Sequence, residues 1–169
     1  MMLLANAALF LGGCSRTASS ETPGAKNEPT TNRAVSAIRP ANIIGEWAAQ
    51  GTSSGIKSVF EYRKDGDFVG TIVQNGMPII LLGKWVITNN AIMQHSTSLL
   101  SAEGHLNPVE NETNTIVSWD ANQITFVGTA AGMTCSVVRV NKESYLGKNA
   151  ASDSRTLEGR LRRSSHSKN

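Results

Sequence analysis

Cysteine is nearly absent from this chain of 169 residues, which has only Cys14 and Cys135. A disulfide-dense secreted scaffold is thereby excluded. Aromatic residues make up 5% and charged residues 17% of the sequence, too little charge for a self-repelling disordered chain. Hydrophobic residues reach 40%, yet nowhere do they form the run of about 20 apolar residues that a membrane-spanning helix requires. Histidine occurs three times, and no His, Asp or Glu spacing resembles a metal site. What remains is the composition of one modest folded domain with non-globular ends.

The positive charge is unevenly placed. The chain carries a net charge of +3, but residues 41–141 hold five Lys or Arg against eight Asp or Glu. Residues 142–169 hold seven basic side chains against three acidic ones. The basic character therefore belongs to the ends. A nucleic-acid-binding domain carries its basic patch on the folded surface, so nucleic acid is not an expected partner.

Residues 1–11 are uncharged and apolar apart from Asn6, near the length of a signal-peptide hydrophobic region. Leu11-Gly12-Gly13-Cys14 follows, and this resembles the lipobox of bacterial lipoproteins, in which small residues precede a cysteine that becomes the lipidated N-terminus. The resemblance implies a signal peptide over 1–13 and lipidation of Cys14. Ser15, in place of the Asp that retains lipoproteins in the inner membrane, implies sorting to the outer membrane, with the chain facing the periplasm. No Lys or Arg precedes the apolar run, which departs from the usual basic start. Residues 14–40 are rich in Ser, Thr, Ala, Asn and Pro without hydrophobic periodicity, and read as a disordered tether.

From residue 41 to 141 the signals are those of short strands. Ile43 to Trp47 opens the series, and Ser58 to Arg63 runs back with Phe60 and Tyr62 on one face. Asp65-Gly66 and Asn75-Gly76 are hairpin signals, because both tolerate positive φ. Pro78 to Thr88 is longer, with Ile79, Leu81, Gly83, Trp85 and Ile87 on one face and Ile80, Leu82, Lys84 and Val86 on the other. Asn89-Asn90 turns the chain into Ala91 to Leu99, and a polar loop holding Gly104, Asn107 and Pro108 follows. Thr113 to Trp119, Gln123 to Thr129 and Met133 to Val140 complete an all-β pattern of about eight antiparallel strands. Eight such strands close into a barrel whose interior holds side chains or one small ligand.

This middle region resembles the small lipocalin-like (calycin-like) domains of bacterial exported proteins. The residues that carry the likeness are Gly45-Glu46-Trp47, matching a G-x-W opening; Phe60 with Asp65-Gly66-Asp67-Phe68; Gly83-Lys84-Trp85-Val86-Ile87; and the closing Val138-Arg139-Val140. The resemblance implies that Trp47 plugs one end of the barrel and that Arg139 lies over it, both in structural roles. Guanidinium over an indole face gains about 0.5–2 kcal/mol.

Catalytic constellations are not apparent, and the protein is not expected to be an enzyme or to hold a cofactor or metal. His95 and His105 read as surface or loop residues, and Cys135 as a buried free thiol within a strand. Ile79 to Leu82 is apolar on both faces, which fits either a strand covered outside by a loop or the tail, or an exposed docking strip. Trp119 with Met77, Met93 and Met133 either lines a small cavity or fills core gaps. Residues 142–169 read as a basic, mostly disordered tail, although Leu157 and Leu161 permit a short helix. The expectation is a lipid-anchored cell-envelope protein that holds a small apolar ligand in its barrel. The alternative is an envelope module that docks a protein partner through its outer face.

Overall fold

The computed structural model describes residues 37–51, 55–101, 104–106, 111–128 and 134–166. The expected signal segment, Cys14 and the expected tether up to residue 36 lie outside the described residues. The elements are α1 (Pro40–Ile43), β1 (Gly45–Ala49), β2 (Ile56–Tyr62), β3 (Asp67–Gln74), β4 (Met77–Thr88), β5 (Ala91–Ser101), β6 (Gly104–Leu106), β7 (Glu112–Trp119), β8 (Gln123–Gly128), β9 (Thr134–Arg139), α2 (Lys142–Leu146) and α3 (Lys148–His166).

The strands form a closed antiparallel barrel of eight. The order runs β1-β2-β3-β4-β5-β7-β8-β9, and β9 returns to β1 with Trp47 opposite Arg139 and Ala48 opposite Val138. The short β6 folds back onto the end of β5, pairing Leu99 with Leu106. Turn chemistry explains the close connections. Asn75 and Gly76 (φ 52° and 79°), like Asn89 and Asn90 (φ 50° and 58°), take positive φ at both central positions of two-residue hairpin loops. That is the left-handed pair whose twist matches a hairpin.

Alternation along the strands divides the residues into two sets. Trp47, Tyr62, Phe68, Leu81, Trp85, Ile92, Leu99, Ile116, Ile124 and Val137 fill the interior, with Ile38 and Ile43 packed against them. Tyr62 meets Phe68 and Trp85, each at 5.4 Å between ring centroids. The opening of the barrel differs from expectation at Ile43. Pro40 sets the first position of a single helical turn, so Ile43 ends α1 rather than beginning β1. The folded body also reaches back past residue 41, because Ile38 is buried and its N–H donates to Asn90 Oδ1 at 3.2 Å.

The tail expectation is corrected over most of its length, since residues 142–146 and 148–166 are helical. Leu157 and Leu161 of α3 pack on Val69, Ile80, Leu82 and Leu100, the outward residues of β3, β4 and β5. Leu146 of α2 packs with Ala48, Val59 and Val73 on the neighbouring outer surface. An isolated helix of this composition is marginal, and burial against the barrel supplies what propensity lacks. The two-faced apolar run of β4 is therefore a covered strand, and the exposed-strip reading of Ile80 and Leu82 falls.

Candidate functional site

The end of the barrel that holds Trp47 is sealed. Arg139 Cζ lies 4.2 Å from the centroid of the Trp47 ring. Its guanidinium donates to three backbone carbonyls, of Ala121 (2.8 Å), Ile44 (3.0 Å) and Asn42 (3.0 Å). Trp47 Nε1 donates to the Ile43 carbonyl at 2.6 Å. Gly45 explains the first position of G-x-W. Its φ is +134°, and a Cβ there would sit 2.5 Å from Arg139 Nη1. The structure thus brings together the two residues singled out at the barrel floor and ties them to α1 by hydrogen bonds.

Further inside, four polar residues from three strands converge. Gln94 of β5 donates through Nε2 to the Tyr62 hydroxyl at 2.6 Å, and Asn114 Nδ2 of β7 donates to Gln94 Oε1 at 3.3 Å. Asn114 is 4% exposed, and its Oδ1 accepts no hydrogen bond. Glu112 is the neighbouring inward residue of β7, opposite Gln94 in register. Gly128 of β8 stands opposite Asn114, and a Cβ at that position would lie 3.3 Å from Asn114 Oδ1 and 3.6 Å from Glu112 Oε1. Both oxygens thus converge on the one point where Gly128 carries no side chain, and a larger residue there would crowd them.

The electrostatics of this cluster follow from burial. Burial raises the Glu112 carboxyl above its usual range. The Tyr62 hydroxyl is raised strongly, first by burial and then by the nearby Glu112 charge, against the opposing effect of the Gln94 bond. β5 and β7 share four registered pairs, ending at Gln94–Glu112, beyond which β5 pairs with β6 instead. Glu112 therefore sits at the end of the β5–β7 pairing.

A second concave region lies outside, between β1–β2 and the helices. It has a volume of about 250 Å³ and a charged lining that includes Glu46, Glu61, Glu158, Arg63, Lys142 and Arg155. Burial lowers the Lys142 ammonium, against the opposing charges of Glu61, Glu158 and Glu46. The Arg63 guanidinium bonds both Glu61 (2.6 Å) and Glu158 (2.7 Å), and Arg162 bonds both Glu158 (2.9 Å) and Asp67 (2.9 Å). Asp67 also binds Lys84. These pairs tie α3 to β2, β3 and β4, and their carboxylates are engaged with the protein's own cations.

Other singled-out residues are placed as follows. His95 is exposed and its Nδ1 contacts Asn111 Oδ1, while His105 falls in β6. Met77 and Met93 point outward rather than into a cavity, and Met133 lies outside the described residues. Cys135 is buried in β9 as expected, but it is disulfide-bonded rather than free. The inward polar cluster was not found by sequence reasoning. Its signal, Glu112 and Asn114 two apart in a strand, is uninformative until Tyr62 and Gln94 are brought to it. No family model matches the chain, and no curated protein aligns with it significantly.

Proposed function

We propose that this is a non-catalytic, lipid-anchored cell-envelope protein whose barrel holds a small, largely apolar ligand. The observation that carries the reading is the closed barrel, sealed at Trp47 and Arg139, with polar side chains turned inward and one buried acceptor left unpaired. Buried polar groups without partners are rare in native interiors, and Asn114 Oδ1 has a second oxygen, of Glu112, close beside it. The lipocalin-like order of G-x-W, hairpin turns and closing arginine supports the same reading, as does the lipobox for the anchor. Outer-membrane attachment with the barrel in the periplasm belongs to that proposal.

Native mass spectrometry of the full chain, gently purified from a Gram-negative envelope, tests the ligand. A reproducible adduct lost on denaturation is expected, and a clean apo mass from cells and after incubation with lipid extract counts against it. Labelled palmitate tests the anchor, and should enter the wild type but not Cys14→Ser.

One observation favours a docking reading. Val86 and Met93 face each other across β4 and β5, 52% and 46% exposed, on the wall outside the α3 contact. A partner bound there would be lost with Val86→Lys, while ligand mass stayed unchanged.

A further inference from the structure

The polar chain inside the barrel has a direction. Tyr62 accepts from Gln94, Gln94 accepts from Asn114, and Asn114 Oδ1 ends the series with no donor. Each amide group gives one N–H to this series, and the oxygen at its open end is an acceptor. Beside it, on the same point left clear by Gly128, lies Glu112 Oε1. Among the described residues no Lys, Arg or His forms an ion pair with Glu112. This differs from Asp67 and Glu158, whose carboxylates are held by Lys84, Arg63 and Arg162.

We infer that Glu112 and Asn114 form the head-group subsite of the barrel and take a primary ammonium group, with the apolar remainder of the ligand among the interior side chains. The inference rests on the ligand-in-barrel reading and names the ligand's polar end. An ammonium brings three N–H donors and a positive charge, matching a carboxylate and an amide oxygen that border one space. A carboxylate head would meet Glu112 with like charge. A hydroxyl head would donate one bond and leave the Glu112 charge buried without compensation. Burial raises the Glu112 carboxyl, and an ammonium beside it would act in the opposite direction.

Calorimetry with octylamine, octanol and octanoate on the full chain at neutral pH tests this. The three probes share one tail and differ in the head. Octylamine should bind about tenfold or more tighter than octanoate, the span of a charged hydrogen bond. Residues 41–141 carry five basic against eight acidic side chains, so the Glu112 variant is what separates the subsite from general attraction of a cation to the barrel. Glu112→Gln should abolish the preference by bringing octylamine down to the level of octanol, and Asn114→Leu serves as the second variant if the first does not fold. Equal binding of all three probes would overturn the subsite and leave the barrel reading standing; it would mean that Asn114 turns its amide onto Glu112 and closes the pair on itself. An amine preference that survives both variants would place the head group elsewhere and overturn the assignment. Binding of none of the three would overturn the subsite and the barrel reading together.

Discussion

Two residues in this molecule show how a single polar atom can cost or earn stability according to its surroundings. Asn114 Oδ1 and Thr71 Oγ1 are both buried without a hydrogen-bond partner. Asn114 faces a space with a second oxygen beside it, and so has a use for the missing bond. Thr71 sits on β3 between Val59 and Ile80 in register, on the side away from the interior, where the surroundings are apolar and closed. Nothing in the structure gives its hydroxyl a role. Thr71→Val keeps the shape and removes the unpaired group. It should raise the unfolding free energy by about 1 kcal/mol, measurable as a higher urea midpoint with an unchanged slope. Asn114→Leu differs, because it removes an unpaired oxygen but also the donor to Gln94 Oε1, and the two effects on stability oppose one another.

At the scale of elements, α3 is the part whose stability depends most on its neighbours. Leu161 is 2% exposed and Leu157 packs beside it on Val69, Ile80, Leu82 and Leu100. Leu161→Ala should cost about 2–5 kcal/mol, and the exposed strip should then bind a hydrophobic dye in otherwise native conditions. The strands were legible in the sequence because two independent signals coincide there. Side chains alternate with period two, and Asp-Gly, Asn-Gly and Asn-Asn stand where positive φ is needed. The helix was less legible because its buried stripe is narrow and uses small residues. Ala151 and Ser154 are fully buried, yet on paper they are indistinguishable from tail composition. The expectation at Ile79 to Leu82 contained the missing half of that contact, since a strand apolar on both faces requires a cover. The candidate site was the least legible part, because Tyr62, Gln94 and Glu112 are far apart in sequence and acquire meaning only through register.

For the whole molecule, the acid limb of stability should be set by the clamp of α3 onto the barrel. Asp67 is held below the usual carboxylate range, first by its bond to Lys84 and then by Arg162, against some burial. Burial alone would raise Glu158, but the Arg63 and Arg162 bonds together outweigh it and lower the group. A lowered carboxyl contributes stability that is complete above its unfolded pKa, near 4, and is lost as pH falls through its folded value. Glu112 has the opposite sign: it is raised, so the folded state gains relative stability as pH falls through its folded value toward the unfolded one. Urea midpoints measured from pH 7 to pH 2 should therefore hold or rise slightly in mild acid before falling steeply below about pH 4. Glu112→Gln should remove the first part, and Glu158→Gln should soften the second.

The seam where β9 meets β1 has a consequence for the history of each molecule. Every barrel strand pairs with its neighbour in sequence order, save for the short β6 and for this one closure between the first strand and the last. Local hairpins form quickly, whereas joining distant ends waits on loop closure. A chain emerging N-terminus first can assemble β1 to β5 early, but its β1 edge stays open until residues 134–139 arrive. During that interval the unpaired edge is a template for another chain. The cation–π contact and the carbonyl bonds of Arg139 belong to the last strand, so the same event that ends this vulnerable period also locks Trp47 in place.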